Sequence, residues 1–262
     1  MLLFEPNQTQ FDLRWQMFGV PVRVHPMFWF VSVLLGWNLL QDPQGGVRVL
    51  LVWIACVFVS ILLHEFGHVF VGRWFGSNGH IVLYGFGGLA IGSNALESRW
   101  QRIAVSLAGP AVQLLLWGAI RLWLKSASHD VLQVLVRYEL VGMAIVFLIE
   151  INLYWALLNL LPIWPLDGGQ VARNLFEWRL GTDGTRAALW LSLITAAAFA
   201  INSLAAANGR PLIPRVPAGG LYTALLFGSL ALSNYFELQQ TPRGPRRWQK
   251  QSWERDPDYW KQ

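Results

Sequence analysis

Long apolar runs separated by short polar segments set the pattern of this chain. The first run covers about 26–40, from Pro26 to Leu40, and is followed by the turn-rich Gln41-Asp42-Pro43-Gln44-Gly45-Gly46. Further apolar runs cover about 47–72, 100–124, 131–161, 185–207 and 217–236, with a short mixed segment at 168–180. A bilayer core of about 30 Å needs roughly 20 helical residues, so each later run is long enough to cross one. The first is short, which calls for a thinned bilayer or flanking interfacial aromatics, and the run at 131–161 is long enough to tilt. Two stretches break the helical pattern. Phe18–Val24 reads as a short extended piece at the interface, and the glycine-rich, β-branched His80–Ala90 reads as a β-hairpin at or dipping into the membrane. The expected fold is an all-α polytopic membrane protein with about six transmembrane helices and a small membrane-associated β-hairpin. Residues 1–237 should form one transmembrane domain, and 238–262 a basic, aromatic cytoplasmic tail.

Composition agrees with that pattern. The chain is 54% hydrophobic and 13% charged, where a soluble protein carries about 25% charged residues. The single Cys56 allows no disulfide framework. The N-terminus lacks the basic and apolar regions of a cleaved signal peptide, so the first apolar run is expected to stay as an anchor. A net charge of +5 does not point to nucleic acid, because the basic residues sit beside the apolar runs. With six spans, the termini and the loops on their side hold 14 of the 20 Lys and Arg, which puts both termini in the cytoplasm. The expected location is a cell membrane, of the bacterial inner-membrane kind.

The chemistry begins inside the second run. His64-Glu65-Phe66-Gly67-His68 is an H-E-x-x-H motif, and residues four apart share a helix face, so both imidazoles can reach one metal ion. Glu65 is placed to act on a water at that ion without ligating it. Ionisable groups within a membrane span mark functional sites by default. A catalytic zinc site keeps three protein ligands and an open position, so a third ligand is needed. His25, His80, His129 and the acids are candidates, and His129 falls on the opposite side of the membrane. Asp167 is the strongest, although an Asp there could equally cap the segment 168–180. It ends Asn159-Leu160-Leu161-Pro162-Ile163-Trp164-Pro165-Leu166-Asp167-Gly168-Gly169, where two prolines break the helix and two glycines allow close backbone approach.

His64-Glu65-Phe66-Gly67-His68 with Asn159-x-x-Pro162-x-x-Pro165-Leu166-Asp167-Gly168-Gly169 resembles the site-2 protease family of intramembrane zinc metalloproteases (peptidase family M50). The resemblance covers roughly residues 20–180. It implies one Zn²⁺ per chain, with Asp167 the third ligand beside His64 and His68, Glu65 the catalytic acid–base, and Asn159 a polar group near the substrate carbonyl. The hairpin around Gly85–Gly88 resembles the family's membrane-embedded sheet. Where relatives more often carry Asn after Ala108-Gly109-Pro110, this chain has Gln113. Only 98 residues separate His68 from Asp167, which leaves no room for an inserted PDZ domain, and the tail is too short for a folded regulatory domain such as a CBS unit. The resemblance implies a membrane-spanning protein substrate within the lipid bilayer, cut after local unwinding, with a regulatory membrane protein as a further partner class. The rival reading is a non-proteolytic membrane scaffold or transporter that retains the motif.

Three other features enter more modestly. Glu150 lies nine residues before Asn159, about half a turn away at 3.6 residues per turn, and should face away from the site. Asn152 shares the face of Asn159 and either lines the cavity or makes a structural hydrogen bond. Arg243, Arg246, Arg247, Lys250, Trp248 and Trp253 in the tail suit an anionic membrane surface or a docking partner.

Overall fold

The computed structural model describes residues 6–41, 45–85, 87–213 and 220–241. Eight α-helices and four strands make up the described residues: β1 Leu13–Met17, β2 Val20–Val24, α1 Pro26–Leu35, α2 Gly46–Trp74, β3 His80–Tyr84, β4 Gly87–Ile91, α3 Arg99–Ser126, α4 His129–Arg137, α5 Glu139–Asn159, α6 Asp167–Leu180, α7 Thr182–Ala207 and α8 Gly220–Gln240. Four of these helices are long and apolar enough to cross a membrane: α2, α3, α5 and, from Asp183, α7. The expected count of about six therefore stands at four by length and composition. The first run forms only a ten-residue helix, α1, followed by a 3₁₀ turn at Trp37–Gln41. His25 caps α1 by accepting from the Met27 N–H, Pro26 fits its first turn, and Gly36 ends it. The last run forms α8, whose 21 residues end in Ser233, Asn234, Glu237, Gln239 and Gln240 and are less apolar. The expected single tilted helix at 131–161 is two helices, broken at Tyr138, with α4 carrying no buried residue. The basic tail lies outside the described residues beyond Thr241.

The predicted hairpin is part of a larger sheet. Strand order is β1-β2-β3-β4, with β2 and β3 parallel in the register Val22↔Ile81 and the other pairs antiparallel. The extended piece at Phe18–Val24 is thus the turn and second strand of a hairpin. A parallel partner 59 residues away leaves no local signal, which is why the sheet could not be read from spacing. Phe18 and Gly19 both take positive φ, as a tight hairpin turn of primed type requires. Arg73 at the end of α2 donates to the Phe18 and Gly19 carbonyls at 3.2 and 2.6 Å, which pins the turn to the helix.

Val20, Val22 and Val24 alternate along β2 and pack with Ile81 and Leu83 against Val57, Ile61, Phe66 and Val69 of α2. The sheet therefore sits on the half of α2 that carries the His-Glu motif. β4 is the outer strand on that side. A second core forms around the fully buried Ile163 between α7 and α8, with Ala196, Phe227, Leu230 and Ala231.

Candidate metal centre

His64, Glu65 and His68 are all buried, at 3, 4 and 6% exposure. Burial of three ionisable groups on one apolar helix needs partners, and α3 supplies those of the two histidines. The His64 Nδ1 donates to Gln113 Oε1 at 2.9 Å, and the His68 Nδ1 donates to the Val105 carbonyl at 2.7 Å. A carbonyl can only accept, so His68 carries its proton on Nδ1. The Gln113 Nε2 donates to the Ser60 carbonyl at 3.3 Å, which turns its oxygen toward His64 and fixes the same tautomer there. Both Nε2 lone pairs then point inward, 3.0 Å apart.

The third donor arrives from the other end of the fold. Helix α5 stops at Leu160 because Pro162 and Pro165 cannot continue it. The chain turns and starts α6 at Asp167, where a Cβ on Gly168 would strike the Leu160 and Leu161 backbone. Asp167 lies with Oδ2 3.1 Å from His64 Nε2 and Oδ1 3.4 Å from His68 Nε2.

Three buried donor atoms with lone pairs converging within 4.8 Å of one another would repel without a cation between them. A tetrahedral zinc with bonds of about 2.0–2.1 Å separates its ligands by about 3.3–3.4 Å, close to the 3.0–3.4 Å found here. Two imidazoles and a carboxylate suit zinc in chemistry as well. The donor set fits the ion.

Close packing around the donors is made by small residues. Helices α2 and α3 cross at Gly67, where a Cβ would lie 2.7 Å from the Ala108 carbonyl oxygen, and a Cβ on Gly109 would strike the His68 Nε2. The Glu65 carboxyl is in hydrogen-bond contact with the Ala90 backbone of β4, and only the missing side chain of Gly88 leaves it space. His64, Glu65, His68 and Asp167 open onto one cavity of about 430 Å³. Asn159, Tyr84, Trp155, Gln170 and Leu226 line it further.

All five residues singled out for chemistry therefore meet in one place. Asn159 lines the cavity while its Nδ2 donates to the Trp155 carbonyl at 3.0 Å, so one of its two N–H groups is used at home. Glu150 is exposed and away from the cavity, as its spacing predicts. Asn152 does not line the cavity: it is fully buried and donates to Ser60 Oγ at 3.0 Å, the structural alternative. The other three histidines lie elsewhere, His25 as a helix cap, His80 at the start of β3 outside the cavity lining and His129 beside Gln133 in α4. Sequence reasoning missed Gln113 as the brace of His64. The available signal was a single Gln in the otherwise apolar stretch 107–120, about one turn from the helix crossing.

Comparison with known proteins agrees with the motifs. The model for peptidase family M50 matches residues 127–201, which contain Asn159 and Asp167. A Synechocystis protein described as a zinc metalloprotease, sll0528, is 32% identical over 83% of this chain and 57% of its own. The Mycolicibacterium smegmatis protein Rip2, described likewise, is 30% identical over 56% of this chain and 69% of its own. The chain spans about half the length of the first curated relatives it matches, between 44 and 57%. The solved site-2 protease from Methanocaldococcus jannaschii superposes with a TM-score of 0.48 at 18% identity, covering 90% of this chain and 97% of that one.

Proposed function

Because this chain belongs to peptidase family M50, the site-2 protease family of zinc metalloproteases, we propose that it is an intramembrane endopeptidase cutting membrane-spanning segments of other proteins. The observation that carries this reading is the meeting of Asp167 with His64, Glu65 and His68 in one cavity, the last three on a helix apolar enough to span a bilayer. Zinc held by His64, His68 and Asp167 would supply Lewis-acid polarisation of the scissile carbonyl and of a water. Glu65 takes the proton of the attacking water and returns it to the leaving amine, held for that exchange by the Ala90 backbone. The remaining N–H of the Asn159 amide stabilises charge developing on the carbonyl oxygen. The free edge of β4 pairs with the unwound substrate segment, a role supported by its terminal place in the sheet beside Glu65.

Orientation follows from charge. Arg73, Arg99, Arg102, Arg173 and Arg179 gather where α2 ends, α3 begins and α6 runs, so we assign that end, with the metal centre, to the cytoplasm of a cell membrane. Residues 1–237 act as one catalytic domain, 238–262 as a tail on the membrane surface. Partners are the membrane-spanning substrate, the bilayer and a regulatory membrane protein, with no nucleic acid. A non-catalytic scaffold would place no demand on a carboxyl between β4 and the imidazoles.

The test is Glu65→Gln in the full chain, co-expressed with a tagged membrane-spanning substrate. Cleavage should vanish while zinc content stays at one per chain; retained cleavage would remove Glu65 from the mechanism.

A further inference from the structure

The last two helices carry no motif, yet they hold the loop that delivers Asp167. Between Pro162 and Pro165 only Ile163 and Trp164 have a backbone N–H to offer. The Ile163 N–H donates to the Leu161 carbonyl at 2.7 Å, and the Trp164 N–H donates to Ser192 Oγ of α7 at 2.9 Å. On the other side of the same residue, Asn234 of α8 donates from Nδ2 to the Trp164 carbonyl at 2.6 Å. Ser192 and Asn234 are 1 and 0% exposed, so neither has water to turn to. The Trp164 indole is covered by the Arg173 guanidinium at 4.8 Å, and Arg173 lies 3.7 Å from Glu237 of α8. Asp167 follows three residues later as the first residue of α6.

We propose that Ser192 and Asn234 are positioning residues of the metal centre: by gripping the Trp164 backbone from α7 and α8 they set where the Asp167 carboxylate meets His64 and His68. The proposal rests on Asp167 being a metal ligand. Buried polar side chains also act as plain glue between helices, and the two roles differ in what their loss changes. Glue affects how firmly the fold holds. A positioning pair affects affinity for the ion, by about 10–100-fold where such outer partners are removed.

The experiment is a zinc titration of the full chain in detergent, in competition with a chromophoric chelator, with the absorption spectrum of bound Co²⁺ reporting ligand geometry. Ser192→Ala and Asn234→Leu should each weaken zinc by about tenfold or more and alter the Co²⁺ spectrum, while Ser192→Thr, which keeps the hydroxyl, stays near wild type. Asn202→Leu is the control for glue, since Asn202 is equally buried in α7 but accepts from the Ile213 N–H, away from the loop. Its affinity should equal that of wild type. Wild-type zinc affinity in either Ser192→Ala or Asn234→Leu overturns the proposal, as does an equal loss in Asn202→Leu. If Asn234→Leu fails to fold, the Ser192→Ala and Ser192→Thr pair decides. Asp167→Ala separates the two levels of failure: wild-type affinity there overturns the ligand assignment itself, whereas loss there with no loss in Ser192→Ala overturns only the positioning role.

Discussion

Replacing Gln113 by Leu tests the metal centre where sequence reasoning left it open. In the folded protein the Gln113 oxygen accepts from His64 Nδ1, which forces the lone pair onto Nε2, the atom that faces His68 and Asp167. Leu has similar bulk and no acceptor. Without metal, His64 in Gln113→Leu can move its proton to Nε2 and donate to Asp167 Oδ2, an atom with no other partner. Metal binding reverses that choice and leaves the Nδ1–H buried against an alkyl group, at a cost of about 1–3 kcal/mol. Because the cost falls on the loaded state alone, zinc affinity should drop by the corresponding 5–150-fold or so. The second Gln113 bond, to the Ser60 carbonyl, adds little, since that carbonyl is already within the α2 hydrogen-bond ladder. Metal-free stability should therefore stay near wild type. Gln113→Glu restores an acceptor and should recover affinity, and Gln113→Asn, one methylene shorter, should fall between. Competition titration with a chromophoric chelator gives the affinities, and thermal unfolding without metal gives the control. Zinc binding by Gln113→Leu within about twofold of wild type, or a loss in Gln113→Glu as large as in Gln113→Leu, would refute the tautomer argument.

Two further outcomes follow from the same geometry. Gly88→Val would drive a side chain into the Glu65 carboxyl; turnover should fall by about 100-fold or more with zinc content unchanged, and a matching loss of zinc would show that the strand braces the ligands instead. Zinc at about 100 times its Kd should stabilise the metal-stripped chain by about 2.7 kcal/mol, read as a rise in thermal midpoint that Asp167→Ala abolishes. A rise that persists in that variant would place the ion elsewhere.

How much could be read in advance depended on the range of each interaction. The helix periodicity showed that His64 and His68 share a face, because four residues of spacing fix that geometry within one element. Pro162, Pro165, Gly168 and Gly169 marked a chain reversal, again from local chemistry. The hairpin at β3 and β4 followed from its glycines and β-branched residues. What escaped was set by pairing across long separations. The β2–β3 register joins residues 59 apart through backbone groups that any side chain could accompany. At the ends hydropathy alone did not fix the count: among the described residues α1 is shorter, and α8 more polar at its C-terminal end, than the four helices that are long and apolar enough to cross a membrane.

The braces were hidden for a physical reason that also explains why they exist. In a membrane, a donor or acceptor without a partner costs several kcal/mol because no water can replace it. A metal centre there must satisfy the atoms around its ligands from within the protein. Here each proposed ligand has its own supplier: α3 through Gln113 for His64, the α3 backbone at Val105 for His68, and, as proposed, α7 and α8 through the Trp164 loop for Asp167. A single Gln, Ser or Asn in an apolar helix has no motif around it and reads as an isolated polar residue. Its meaning appears only when the partner helix is known. The same economy separates the two histidines. His68 leans on a backbone carbonyl, which no substitution of Val105 removes, whereas His64 leans on a side chain. Substitution at Gln113 should therefore shift the metal through His64 alone, and that asymmetry makes Gln113 the more informative residue to change.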